Sequence, residues 1–334
     1  MRRVWVLVAV VLVVLAAGGI GPAAGEPAAL TIYSGRSRDL VAPLFERFTA
    51  STGIQVRVRY GETAELAATI LEEGANSPAD VYFAQDAGAL GALAFAGRLR
   101  ALPEQILSRV EPRFRSADGR WVGVSGRARV VVYNTRRLRP EELPASIAEF
   151  AQPKWRGRIG WAPTNGSFQA HVTAMRLLWG NERTRRWLLG IKANGARAYR
   201  NNTAIVAAVG AGEIDVGFVN HYYLFAFLRE RGPAFPARNY FFPGADAGNL
   251  VNVAGVGVVD TARAPAAQRF VEFLLSPEAQ RYFAGETFEY PLVSGIPANP
   301  LLPPLAQIRT PQVDLNHLQA LEETLKLLRE TGLL

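Results

Sequence analysis

The chain has no cysteine and only three histidines, and its acidic residues are outnumbered by basic ones, 29 to 37. Without cysteine there can be no disulfide, no lipid-modified cysteine and no Cys-based zinc or copper centre. His171, His221 and His317 show no metal-ligand spacing. No G-x-S-x-G elbow and no phosphate-cradling glycine signature occurs anywhere, so nucleophilic and nucleotide-dependent catalysis lack their usual residues and the chain does not read as an enzyme. Past the first residues no apolar run is long enough to cross a bilayer. The net charge of +8 comes from arginine far more than lysine. These arginines are scattered rather than gathered into a stripe, which argues against nucleic-acid binding.

What is present begins with a leader. Arg2 and Arg3 precede an apolar run from Val4 to Ala17, followed by a Gly/Pro/Ala stretch with small residues at Ala23 and Ala24. That order describes a secretory signal peptide over 1–25, cleaved between about 23 and 29, rather than a spanning helix. The flanking pattern of a twin-arginine signal is missing. About 300 residues then remain, more than one core usually organises, which suggests two lobes of roughly 150.

Hydrophobic periodicity supports an α/β chain. Leu30–Tyr33, Ile54–Tyr60, Asp80–Phe83, Ala128–Tyr133, Gly157–Trp161, Asp215–Asn220 and Val253–Val259 read as strands. Asp39–Ala50, Glu65–Glu73, Ala87–Ala96, Ser167–Leu178, Glu182–Ile191 and Ala266–Leu275 read as helices. Alternation of this kind predicts mostly parallel strands in two sheets, with function at the strand C-termini. Four loops fall there: Ser34–Ser37, Ala84–Asp86, Trp161–Ser167 and Asn220–Tyr223.

Tyr222 and Tyr223 follow the strand DVGFVN directly and precede a helix-like run, Leu224–Arg229. Adjacent tyrosines at a strand end are not expected to enter one core together, so at least one phenol should face the crevice. Packing or ligand stacking is the ordinary explanation of such a pair. The other is a hard anionic oxygen for a metal acidic enough to displace a proton with a pKa near 10, as ferric iron is. Asn165-Gly166-Ser167 opens a helix, where backbone N–H groups bind anions, although Asn165 or Ser167 could equally be a plain N-cap. Arg127, read as lying just before a strand, is either a forked donor to the same anion or a surface residue. His221 adjoins the tyrosines as a ligand, a supporting donor or a solvated side chain.

The segments LTIYSGRS, FTASTGIQV, LEEGANSPADVYF, GVSGRARVVVYNT, QPKWRGRIGW, NHYY and FEYPL occur in this order across nearly the whole mature chain. In them the sequence resembles the bacterial ferric-ion-binding periplasmic proteins, or bacterial transferrins. The resemblance implies a type II periplasmic-binding-protein fold, two α/β lobes joined by a hinge around a cleft. It places one lobe at 30–126 plus 253–303 and the other at 127–252 plus 304–334. It also implies capture of Fe(III) with a synergistic anion, carbonate or phosphate, by a monomer outside the cytoplasmic membrane, and delivery to an ABC-type permease.

Residue by residue, the resemblance puts Tyr222 and Tyr223 on the paired phenolate ligands. Asn165, Gly166 and Ser167 fall on the anion loop, Asn202 and Asn220 on two amides holding the anion, and Arg127 on an arginine beside it. The chain departs from the family at three places. Ser37 stands where well-known members have a histidine ligand, Gln85 where they have a glutamate, and Asn165 where some have a third tyrosine. With those ligands gone, Arg36, Ser37 and Gln85 become the expected cleft contacts from the first lobe. Arg38 is a further anion donor there, and Asp86 or Glu62 a replacement oxygen. The rival expectation is a metal-free site for a small anion or organic solute resembling a phosphonate, thiamine or a polyamine.

Overall fold

The computed structural model describes residues 29–262 and 265–334, so the leader lies outside the described residues. From Leu30 the chain lays down β1 (Leu30–Ser34), α1 (Arg38–Thr52), β2 (Val56–Tyr60), α2 (Thr63–Glu73), β3 (Val81–Ala84), α3 (Ala87–Phe95) and the short α4 (Glu104–Leu107). A 13-residue strand follows, β4 (Val122–Asn134). Next come β5 (Ile159–Trp161), α5 (Gly166–Trp179), α6 (Asn181–Ala193), β6 (Arg197–Ala198), α7 (Asn202–Ala211), β7 (Val216–Asn220), α8 (Tyr223–Arg231) and β8 (Ala237–Tyr240). The chain finishes with β9 (Val251–Val258), α9 (Ala266–Leu274), α10 (Pro277–Gly285), β10 (Tyr290–Pro291) and α11 (Leu321–Glu330).

The strands follow one path, β2-β1-β3-β9-β4-β7-β5-β6, with β8 and β10 also paired to β4. β4 is the element that makes the path continuous. Through Ala128 it pairs with β9, and from Arg129 it pairs with β7, with β8 joining from Val131. The two expected sheets are thus joined through one strand. They are also less parallel than the alternation predicted. β1 runs parallel to β2 and β3, and β5 to β6 and β7, but β9 is antiparallel to β3 and β4, and β4 is antiparallel to β7, β8 and β10. β9 and β4, which meet at the seam, run against each other, and each also runs against a neighbour within one half, β3 or β7.

Packing divides around this seam. One core gathers Phe45, Phe48, Phe83, Trp121 and Phe270, and the edge-on contact of Phe48 with Phe270 brings their ring centroids to 5.1 Å. Beyond the seam Phe150, Trp155, Trp161, Phe168 and Phe218 fill one face of the sheet, while Ile205, Val209 and Phe235 fill the other. The tail is shared, since Leu315 and Leu318 pack into the first core and Leu327 and Leu328 into the second.

Several elements differ from the sequence reading for physical reasons. β4 starts six residues before the predicted Ala128, because Gly123, Ser125, Gly126 and Arg127 break the apolar pattern although every residue of the strand is buried. The glycines are there because neighbours press on them: a Cβ on Gly123 would lie 2.7 Å from the Phe114 carbonyl oxygen. α7 was not anticipated. It buries Ile205, Val206, Ala208 and Val209, so no polar stripe marks it as helical.

His171 illustrates how completely the second half excludes water. Its ring is buried, with Nε2 2.8 Å from the Ala247 carbonyl oxygen. Burial, reinforced by repulsion from Arg129, pushes its pKa down to about 3. An unfolded chain titrates the same ring near 6.5, so its contribution is complete above that pH and is lost as the pH falls toward 3. We predict that denaturant unfolding at pH 5 and pH 7 will show a smaller pH penalty in His171→Gln than in wild type, by about 2 kcal/mol. An unchanged difference would mean that the ring is protonated in the fold.

Candidate functional site

The parallel strands of both halves point their C-terminal ends at one cleft. β1 delivers the Gly35–Ser37 turn, β3 delivers Gln85 and Asp86, β5 leads to the loop before α5, and β7 ends at Asn220 and passes straight into Tyr222 and Tyr223. The halves touch across it. A Cβ on Gly166 would come within 3.3 Å of Asp86 Oδ2. The amide nitrogen of Gln85 donates to both phenol oxygens, at 3.5 Å to Tyr222 and 3.4 Å to Tyr223.

Both tyrosines, not one, turn toward the cleft. Their ring centroids lie 4.3 Å apart at an interplanar angle of 30°. Tyr222 is already helical in backbone, φ −70° and ψ −23°, which swings the pair away from the alternation of a strand. Tyr222 is buried and Tyr223 half-buried. Burial, together with the neighbouring Tyr222, holds the Tyr223 pKa above its ordinary value, so its oxygen is protonated at neutral pH unless something strongly acidic replaces the proton.

Beneath the phenols lies a polar network. Asn165 Oδ1 accepts from the Ser167 hydroxyl at 2.6 Å and from Asn202 Nδ2 at 3.1 Å. Asn202 Oδ1 accepts from the Asn220 backbone N–H at 3.0 Å and from Arg129 at 3.4 Å. Arg129 also donates to Asn220 Oδ1 at 3.1 Å. Asn165 therefore sits at the N-cap position of α5 without capping it; its side chain braces the loop instead. The first N–H groups of the helix, those of Gly166 and Ser167, have no partner within the helix.

Arg127 lies inside β4 rather than before a strand, and it is buried with one donor on the Val253 carbonyl at 3.3 Å. Arg36 is buried too, paired with Glu289 at 2.6 Å. Ser37 is exposed, and Arg38 is exposed with its guanidinium 4.9 Å from the Tyr60 ring centroid. Asp86 is the N-cap of α3, accepting from the Ala89 N–H at 3.2 Å, while Glu62 lines a small cavity of about 160 Å3 with Arg36, Ser37, Gln85, Asn165 and Tyr223. His221 is neither a cleft ligand nor solvated. Its Nδ1 accepts from the Ala128 N–H at 3.1 Å, leaving Nε2–H to donate to the Phe288 carbonyl at 2.8 Å.

Arg129 is the residue that sequence reasoning missed. Desolvation, with repulsion from Arg127, pushes its pKa down to about 9. Its signal was the Arg-x-Arg spacing, which in a strand puts both side chains on one face. Among the described residues no three His, Cys, Asp or Glu side chains form a metal cluster. The buried groups of the site that lack protein partners are instead donors: Arg36 Nε and Nη1, Arg127 Nε and Nη1, Arg129 Nε and Nη2, and Asn220 Nδ2. Such a cluster suits an oxyanion. We predict that phosphate or bicarbonate will raise the thermal midpoint over chloride at equal ionic strength, by the equivalent of about 2.7 kcal/mol at one hundred times its Kd. Arg127→Gln should abolish the increment, and an increment retained in full would place the anion elsewhere.

Comparison with known proteins places the chain in a family. Residues 30–289 match the family model of bacterial extracellular solute-binding proteins. The chain is 36% identical to the major ferric iron-binding protein of Neisseria meningitidis serogroup B over 323 residues, 96% of this chain and 97% of that one. The crystal structure of iron-bound HitA from Pseudomonas aeruginosa superposes with a TM-score of 0.88 at 37% identity, covering 92% of this chain and 100% of the other. Trichodesmium IdiA (FutA) in complex with iron and citrate gives a TM-score of 0.78 at 32% identity, over 92% and 100% of the two chains. With its type II binding-protein fold and a likeness that runs the length of both chains, the protein belongs to the bacterial extracellular solute-binding proteins, and within them to the ferric-ion-binding periplasmic proteins.

Proposed function

We propose that this chain captures ferric iron, together with an exogenous anion, in the cleft between its halves, and presents it to an ABC-type permease outside the cytoplasmic membrane. The observation that carries the reading is the pairing of two phenol oxygens on one side of the cleft with a cluster of partnerless buried donors around them. Phenols yield their protons at neutral pH only to a strongly acidic cation, and Fe(III) is one. The donors would hold an oxyanion whose oxygens supply the ligands that Ser37 and Gln85 do not. Carbonate or phosphate fits donors from Arg127, Arg129, Asn220 and the α5 N-terminus.

Tyr222 and Tyr223 would be the metal ligands, and Asn165, Gly166, Ser167, Asn202, Asn220 and Arg127 the anion site. Asn165 and Asn202 act there by bracing the loop and the Arg129 guanidinium rather than by direct contact. The lobes divide where β4 changes partners, at Ala128–Arg129, and the return crossing enters β9 near Val251. Rotation about these crossings opens and closes the cleft, bringing Gln85 and Arg36 over the metal. The role is carriage, not catalysis. Release follows when a phenolate is reprotonated, the anion leaves, or iron is reduced to Fe(II), which binds hard oxygens less well.

Titration of the mature protein with ferric nitrilotriacetate in bicarbonate should produce a saturable phenolate-to-iron charge-transfer band. Tyr222→Phe, Tyr223→Phe should lose it, and omission of bicarbonate should weaken it. Because phenolic protons must leave, iron affinity should rise with pH across the neutral range. A folded wild-type protein that gives no band at any iron concentration would rule out tyrosine-ligated iron and turn attention to metal-free anions in the same cleft.

A further inference from the structure

Arg36 reaches the cleft from the side opposite the anion loop, and its side-chain hydrogen bond goes to Glu289 rather than to the anion network. It is fully buried, and its guanidinium carbon sits 5.7 Å from the centroid of the Tyr222 ring. One of its nitrogens, Nη2, is spent on Glu289, while Nε and Nη1 have no protein partner. Glu289 is itself fully engaged, accepting from the Ser125 hydroxyl at 3.0 Å and the Thr287 hydroxyl at 2.9 Å. A carboxylate held by three donors is a fixed anchor, and it sets the direction of the guanidinium fork.

The anchor is tied to the tyrosines by a second route. Phe288, next to Glu289, has φ +56°, the only positive value outside glycine among the described residues. Its carbonyl accepts the Nε2–H of His221, the residue just before Tyr222. The contacts therefore close a ring from Tyr222 through His221, Phe288, Glu289 and Arg36 back to Tyr222. A backbone conformation that phenylalanine rarely adopts is retained where the ring needs it.

We infer that Arg36 is a positioning residue for iron capture: an outer-sphere cation, anchored by Glu289, that bears on the Tyr222 oxygen and stabilises the iron-bound phenolate where a neutral or ligating side chain would not. The inference rests on the iron reading above and assigns the first lobe a contribution other than a ligand. Its charge favours closure only over a cleft that has become anionic through phenolates and the bound oxyanion. In a closed cleft with neutral phenols, Arg36 has only Glu289 to offset its charge. Closure is thereby coupled to complete loading.

The test uses the iron- and bicarbonate-loaded protein. A cation on the phenolate side lowers the donor orbital, so Arg36→Gln should move the charge-transfer band to longer wavelength and cost about 10- to 100-fold in affinity measured against citrate. Glu289→Gln should shift the band the same way, because the fork loses its anchor. Arg36→Lys keeps the charge and should hold the band closer to wild type than Arg36→Gln does. If Arg36→Gln fails to fold, as judged by circular dichroism, the other two variants carry the comparison. A folded Arg36→Gln or Glu289→Gln protein with wild-type band maximum and affinity would overturn the inference while leaving tyrosine-ligated iron intact. A wild-type protein without the band would remove both.

Discussion

Three guanidinium groups buried around two phenols create the constraint on which the rest of this structure depends. A buried cation is costly unless it is paired and hydrogen-bonded. Glu289 pairs Arg36, whereas Arg127 has a single bond to a backbone carbonyl and Arg129 is held by two asparagine oxygens. The site thus carries excess positive charge that its own side chains do not neutralise. That excess makes the cleft receptive to an oxyanion and to phenolates.

The fold serves this constraint through β4. The strand presents Arg127 while it is still paired to β9, and Arg129 two residues later as it begins pairing with β7. The same strand meets His221 at Ala128 through two backbone contacts, an N–H onto the ring and a carbonyl accepting the His221 N–H at 3.0 Å. The change of strand partner, the buried charges and the phenol pair are therefore positioned by one short stretch of backbone. The Asn165–Asn202–Asn220–Arg129 network lies wholly on one side of the cleft, whereas Gln85 reaches the tyrosines from the other.

The resemblance to ferric-ion-binding proteins was legible from short segments such as SPADVYF and PKWRGRIGW, and most strands and helices were legible from periodicity. Misreadings arose where the order of polar and apolar residues does not follow burial. In β4 the polar and glycine residues hid six strand positions, and in α7 uniform apolarity hid a helix. Asp86 read as a spare oxygen because a sequence does not reveal that a carboxylate is already occupied capping α3. His221 read as a possible ligand because its two backbone partners come from residues 93 and 67 positions away in the chain.

By itself the sequence determined the chemistry that is unavailable and the chemistry that remains. Without cysteine, and with serine and glutamine where the resemblance expects a histidine and a glutamate, the hard anionic candidates left were tyrosines 222 and 223 and the carboxylates Asp86 and Glu62, with arginines and amides to meet an anion. These are properties of residue type and local order. Tertiary structure alone decided which arginines count. Arg36 and Arg38 are two residues apart and chemically alike, yet one is sealed against Tyr222 and Glu289 while the other lies exposed on Tyr60. That difference comes from contacts across as many as 253 residues of chain. Burial, not composition, sets the strength of a charge's interactions.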